Sequence, residues 1–208
     1  MGETMLKIYG TVMSRAVRTL WAAEELGVPY ELIATDPGTG SRTSDFLKIN
    51  PNGHVPTIDD NGLIVWESLA INLYLAEKYG QGTLWPSDIA GHAHTYQWSF
   101  WAMSEVEEPV MTAIMNKMFL PEEERDAAKA EDAIKRLEVP FGILDKHLQG
   151  RENILGQQYT IADLNVCSVV DFAMYIPYDF TPYPALNNWL MAGMNRPAHQ
   201  KVLALLQG

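Results

Sequence analysis

Cysteine is almost missing: Cys167 is the only one in 208 residues, which excludes an internal disulfide framework and a CxxC redox pair. Any thiol chemistry must therefore use a thiol brought in from outside. Positive charge is also scarce. Fifteen Lys and Arg face 26 Asp and Glu, for a formal net charge of −11, and a surface of that sign repels phosphate backbones and anionic lipid heads. Neither nucleic acid nor a membrane is expected as a partner. No stretch reaches the roughly 18 apolar residues of a membrane span, and the amino end, Met1 to Tyr9, has no long apolar h-region. A cytoplasmic protein is the expectation. Repeats and low-complexity tracts are missing too. His92 and His94, two residues apart, point to different helical faces, so no metal site is expected of them.

What is present is a core-forming composition, 47% hydrophobic and 20% charged, whose patterning changes character along the chain. Residues 1–80 alternate strands and helices. Leu6 to Tyr9 alternates as a strand does, and Ser14 opens a helix whose Ala16, Val17, Leu20, Trp21 and Ala23 form an apolar face, with Gly27 and Pro29 as its stop. A strand at Tyr30 to Ala34, a turn-rich loop at 36–41 and a short helix near Asp45 to Ile49 lead to Asn50-Pro51-Asn52-Gly53. Val55 to Ile58 and Leu63 to Trp66 flank Asp59-Asp60-Asn61-Gly62 and read as a hairpin. A helix from Glu67 to Tyr79 ends at Gly80.

Residues 81–90 read as a linker, and residues 91–208 as all-helical. Phe100, Met103, Val110, Ala113 and Ile114 mark one long helix; Ile134, Leu137, Phe141, Leu144 and Leu148 mark another. Pro109 and Pro140 are expected to kink them. Thr160 and Asp163 form a capping box ahead of the run Leu164 to Ala173, and two last helices follow Pro184 and Pro197. Cys167 and the acidic run Glu122 to Glu124 read as structural. The fold class is thus a small α/β domain joined to an all-α one.

The most informative segment is Asn50-Pro51-Asn52-Gly53-His54-Val55-Pro56-Thr57, followed after the hairpin by Trp66-Glu67-Ser68. Proline entering a strand removes a ladder donor, and a cis Val55-Pro56 bond costs only about 0.5–1 kcal/mol relative to trans. The N–H and C=O of Val55 are then available to pair with an extended peptide ligand. Glu67 and Ser68 sit where a strand becomes a helix, so free N–H groups, the helix dipole and a hydroxyl suit a carboxylate, while Glu67 suits an ammonium. Together these describe a site for a small peptide.

Here the sequence resembles the cytosolic glutathione transferases, as a serine-type, bacterial-like member. The resemblance rests on Asn-Pro-x-Gly-x-Val-Pro at 50–56, Glu-Ser at 67–68, Ser14-Arg15-Ala16 with Glu24-Glu25-Leu26-Gly27-Val28-Pro29-Tyr30, and Thr160 to Asp163, and so covers nearly the whole chain. It implies a thioredoxin-like N-terminal domain, a helical C-terminal domain and a homodimer. It also implies glutathione as co-substrate, with no metal: Val55 beside cis Pro56 on the cysteinyl backbone, Glu67 and Ser68 on the γ-glutamyl end, and Arg42 and His54 near the glycyl carboxylate.

The implied chemistry is thiol ionisation. A thiol of pKa near 8.5 is only a few per cent thiolate at neutral pH, and lowering that value by about two units takes roughly 2.7 kcal/mol. Counting back from Tyr30 makes Ser14 the favoured donor to sulfur, while matching Arg15-Ala16-Val17 to family members points to Thr11. Tyr9 is a third candidate. Met13, Trp101, Met103 and Met111 are the expected adaptable wall for a hydrophobic electrophile. A glutathione-binding carrier or interaction protein with little turnover is the alternative, or another glutathione-dependent enzyme: an isomerase, dehalogenase or peroxidase. The lack of cysteine near residues 9–16 argues against a mixed-disulfide mechanism.

Overall fold

The computed structural model describes residues 5–206; Met1 to Thr4, part of the amino end read above for a leader, lie outside the described residues, as do Gln207 and Gly208. The chain divides into two compact units. One runs to Trp85 and takes back the chain from Arg196 onward; the other runs from Pro86 to Asn195.

The first unit opens with β1 (Leu6–Gly10), α1 (Ala16–Leu26) and β2 (Tyr30–Ala34), with β2 parallel to β1. Leu6 and Ile8 of β1 are buried, as are Ala16, Leu20 and Trp21 of α1, so alternation on the strand meets helical spacing on α1. The helix stops as its sequence requires: the N–H of Val28 returns to the Ala23 carbonyl at 3.0 Å and that of Gly27 to Glu24 at 3.2 Å, a Schellman closure. After α2 (Ser44–Ile49), β3 (Thr57–Asp60) and β4 (Leu63–Trp66) form an antiparallel hairpin, and α3 (Ser68–Tyr79) packs against α1. The sheet order is β2-β1-β3-β4, with β3 antiparallel to β1.

The hairpin is shifted from the sequence expectation. Its first strand begins at Thr57, not Val55, because Pro56 brings no N–H to the ladder. It extends to Asp60, which pairs with Leu63 across the two-residue turn Asn61-Gly62, at φ 58° and 90°. Asp60 tolerates the strand because its buried carboxylate accepts from Lys78 at 2.6 Å, Tyr74 at 2.7 Å, Tyr79 at 2.9 Å and Asn61 at 2.8 Å. Burial works to raise its pKa, yet these donors outweigh it and hold the carboxyl below its ordinary value. The C-terminal half of α3 is thereby tied to the hairpin.

The last helix, α10 (Pro197–Ala204), also belongs to this unit, whereas the sequence expectation placed everything from 91 to 208 in the helical part. Arg196 makes a two-pronged pair with Glu25 at 2.6 and 2.9 Å, Lys201 reaches Glu24 at 2.6 Å, and His199 lies 4.4 Å from the Trp21 ring. Two adjacent acids at the end of α1 thus collect the two cations that flank the final turns.

The second unit is helical, beginning with α4 (Ile89–Trp101), capped by the Asp88 carboxylate on the Gly91 N–H at 2.9 Å. It continues through π-helical turns at Ala102–Glu107, α5 (Glu108–Ile114) and further π turns at Met115–Phe119. Pro109, which lacks an amide donor, falls in the first turn after the wider π segment, so the irregularity takes that form. The second long helix of the sequence reading is two helices, α6 (Ala127–Arg136) and α7 (Glu138–Leu148): Pro140 sits in the first turn of α7, where a missing N–H is harmless. Next come α8 (Ile161–Val170) and α9 (Pro184–Met194). Asp163 anchors this unit. Its carboxylate accepts from the backbone of Ile154 at 2.7 Å and Thr160 at 2.9 Å, the Thr160 hydroxyl at 3.1 Å and the Trp189 indole at 3.0 Å. Cys167 is buried in α8.

Candidate active site

Strand register brings the sequence-predicted residues of the first unit to one end of the sheet. Tyr9 of β1 stands opposite Thr57, and Thr57 opposite Trp66. One residue further along each strand lie Gly10, Pro56 and Glu67, at the carboxyl ends of the parallel strands, where open α/β sheets offer their crevices. Gly10 makes the corner tight. A Cβ placed on it would stand 2.4 Å from the Ala16 Cβ, and 3.5 Å from both the Ser14 hydroxyl oxygen and the Val55 Cβ. Ser14 and Val55 are therefore neighbours, although 41 positions separate them in the sequence.

The loop before β3 is built around Asn50. Its buried side chain donates to the His54 carbonyl at 2.9 Å and to the Thr57 hydroxyl at 3.1 Å, and accepts from the Asn52 N–H at 3.0 Å. Gly53 is favoured by its φ of 63°, which strains any residue with a Cβ, and it lies against Arg42, whose guanidinium a Cβ there would meet at 2.7 Å and push aside. Arg42 in turn donates to the Asn52 carbonyl at 3.0 Å, which brings it onto the same loop as His54, both side chains being exposed. Val55 follows, half-buried, with a cis bond to Pro56. Among the described residues no hydrogen bond engages its N–H or C=O.

Across the hairpin, Glu67 holds φ 75° at the head of α3, an unfavourable conformation for a residue with a side chain. No side chain caps this helix. The first N–H drawn into it is that of Ile71, on the Glu67 carbonyl at 2.9 Å, so the N–H groups of Ser68, Leu69 and Ala70 have no partner among the described residues. The Ser68 hydroxyl makes no hydrogen bond among the described residues, and the Glu67 carboxylate is exposed.

Thr11 and Ser14 differ sharply. The Ser14 hydroxyl donates to the Thr11 carbonyl at 2.8 Å and accepts from the N–H of Ala16 at 3.2 Å and of Thr11 at 3.4 Å. A hydroxyl has one proton and two lone pairs, so its capacity is used up. The half-buried Thr11 hydroxyl has no partner among the described residues. The helix starts at Ala16, two residues later than the sequence reading had it, because Ser14 serves this turn. Tyr9 packs edge-on against Phe46 at 6.0 Å, on the α2 side of β1.

Comparisons with known proteins assign this architecture to a family. Residues 4–77 match the family model described as "Glutathione S-transferase, N-terminal domain", and residues 106–197 the one described as "Glutathione S-transferase, C-terminal domain". Glutathione S-transferase GstB of Escherichia coli K12 is 33% identical over 97% of this chain and 99% of its own length. The chain belongs to the glutathione S-transferase family. Glutathione S-transferase D7 of Drosophila melanogaster is 30% identical over 85% of this chain and 77% of its own. A solved theta class glutathione S-transferase from Xanthomonas axonopodis pv. citri, with glutathione bound, superposes with a TM-score of 0.87 at 31% identity, covering 94% of this chain and 95% of that one.

The protein is accordingly a transferase of thioredoxin-like plus helical architecture. Of the expected electrophile wall of this transferase, Met13 is 77% exposed in the first unit, and Trp101, Met103 and Met111 are half-buried in the second. His92 is bonded to the Pro86 carbonyl at 2.7 Å and His94 to Gln97 at 3.0 Å. Among the described residues no helix is long and apolar enough to cross a membrane. Two residues shape the candidate site without having been given a role in it from the sequence: Gly10, and Asn50, which entered only as the first residue of the 50–56 motif. An Asn ahead of a Pro-x-Gly turn is the signal that marks Asn50, since its side chain readily bonds backbone two residues on.

Proposed function

We propose that this glutathione transferase conjugates glutathione to a hydrophobic electrophile, with Thr11 as the hydroxyl that stabilises the thiolate. The observation that carries the reading is the set of unspent polar groups at one corner: both backbone groups of Val55, the open N-terminus of α3 and the Thr11 hydroxyl. The cysteinyl backbone of the tripeptide pairs with Val55 as an added strand. Its γ-glutamyl carboxylate rests on the Ser68 hydroxyl and the first N–H groups of α3, where the dipole favours an anion, and its ammonium faces Glu67. Arg42 and His54 take the glycyl carboxylate.

With the backbone held, the sulfur lies over the 11–14 segment. Thr11 donates to it, the thiol proton leaves to water, and the ionised sulfur forms the new C–S bond as a leaving group departs from the electrophile. Ser14 acts one step back. It grips Thr11 by both its N–H and its C=O, and to reach sulfur itself it would have to release the Thr11 carbonyl. Holding both reactants adds to the gain in acidity by making the encounter intramolecular.

A homodimer is part of the reading. Leu63 and Trp66 on β4, and Ile89, Tyr96 and Phe100 at helical spacing on α4, are large apolar side chains left exposed on a single chain. Light scattering on the purified protein is expected to give twice the chain mass. The function itself is tested by calorimetry with glutathione and a turnover assay against an aryl halide; binding without turnover would favour the carrier alternative, and no binding would dismiss both.

A further inference from the structure

We propose that Asn50 is a positioning residue that aims the Val55 N–H at the ligand; the inference rests on the peptide-pairing role given to Val55 above. The His54 carbonyl and the Val55 N–H are the two ends of one planar peptide unit, trans in this structure, so fixing the direction of one fixes the other. The Asn50 amide donates to that carbonyl at 2.9 Å from a buried position on the protein side. The N–H on the opposite edge of the plane is thereby turned away from Asn50 and left open.

The clamp holds on both sides of the unit. Asn50 also bonds the Asn52 N–H before it, at 3.0 Å, and the Thr57 hydroxyl after it, at 3.1 Å, while the Thr57 hydroxyl lies 3.4 Å from the same His54 carbonyl. Its own backbone is anchored by the C-terminal turn of α2, through its N–H on the Phe46 carbonyl at 2.8 Å. Donation into a peptide carbonyl also polarises the unit and strengthens its N–H as a donor. Asn50 therefore sets both the direction and the strength of the hydrogen bond that Val55 offers.

The test is a two-by-two titration of the full chain. Wild type and Asn50→Ala are each titrated with glutathione and with an analogue whose cysteinyl carbonyl is a thiocarbonyl, a weaker acceptor for the Val55 N–H. Wild type is expected to bind the analogue about fivefold more weakly than glutathione. Asn50→Ala is expected to lose about tenfold for glutathione and to bind both ligands alike, because the bond that discriminates them is no longer aimed. A variant that keeps the wild-type ratio, or the wild-type affinity, overturns the proposal.

Asn50→Asp keeps the acceptor for Asn52 but has no protons for His54, and must behave as Asn50→Ala does. Thr57→Val leaves the Asn50 to His54 bond in place and is therefore expected to keep the roughly fivefold discrimination between the two ligands that Asn50→Ala loses, whatever its own affinity; loss of that discrimination overturns the proposal. Failure of both Asn50 variants to fold would assign the residue to stability and overturn the proposal. If wild type binds glutathione but does not discriminate the analogue, it is the Val55 reading that fails; if it binds neither, the glutathione site itself fails.

Discussion

The N-termini of α8 and α3 both bring an acid and a hydroxyl to the start of a helix, Thr160 with Asp163 in one and Glu67 with Ser68 in the other, yet they are finished in opposite ways. At α8 the acid and the hydroxyl are spent within the chain: Asp163 takes four donors, and with Thr160 it boxes the helix at its first turn. At α3 no side-chain hydrogen bond caps the helix, Glu67 is bent into a positive φ, and three N–H groups with a hydroxyl have no partner among the described residues. Buried polar groups without partners destabilise a fold, so chains satisfy them wherever they can. A helix start left open beside an open stretch of backbone is what the proposed glutathione site draws on, whereas a boxed one holds the fold.

Breaking the closed end should give the largest effect. Asp163→Ala leaves four donors without a partner and is expected to cost about 4 kcal/mol in denaturant unfolding, with little change in glutathione affinity of the folded fraction. Next is the open end's chemistry. Thr11→Val removes one hydroxyl and is expected to lower kcat about 100-fold, as loss of a hydrogen bond to a charged group does, while unfolding free energy moves by less than about 0.5 kcal/mol. Thr11→Ser should restore most of the rate.

Glu67→Gly sharpens the contrast further. It relieves the positive φ and is expected to raise stability by about 1 kcal/mol while weakening glutathione binding about tenfold, so that stability and affinity move in opposite directions. The smallest effect concerns the other end of α3, where Asp60 is closed by Lys78, Tyr74, Tyr79 and Asn61. Its folded pKa lies below the unfolded value, so its contribution is present above the ordinary carboxylate pKa and is lost as pH falls through the folded one. Asp60→Asn should flatten the acid limb of the stability curve below the ordinary carboxylate range, and only slightly, because Lys78 is solvent-screened. Thermal melts across that range read it directly.

Much of this was legible in the chain. Alternation at Leu6 to Tyr9, the Asn61-Gly62 turn and the box at Thr160 to Asp163 are local signals, and each appears where local rules put it. The converging pieces of the site could be read as well, because Val55-Pro56 and Glu67-Ser68 lie at the two ends of one hairpin. What the sequence concealed were choices made by tertiary partners. The final helix sides with α1 because Glu24 and Glu25 meet Arg196 and Lys201 from more than 170 positions away, and no periodicity reports that. Ser14 and Thr11 look interchangeable as hydroxyls; only the hydrogen bonds show that one is saturated and the other is not.

The pKa of the glutathione thiol in the binary complex, followed by the ultraviolet absorbance of the thiolate across a pH titration, tests the account most directly. It should lie about two units below the free value near 8.5 in wild type and in Thr11→Ser, and return most of the way in Thr11→Val. A bound thiol that titrates as it does in solution, or one whose pKa is unmoved by Thr11→Val, would contradict it.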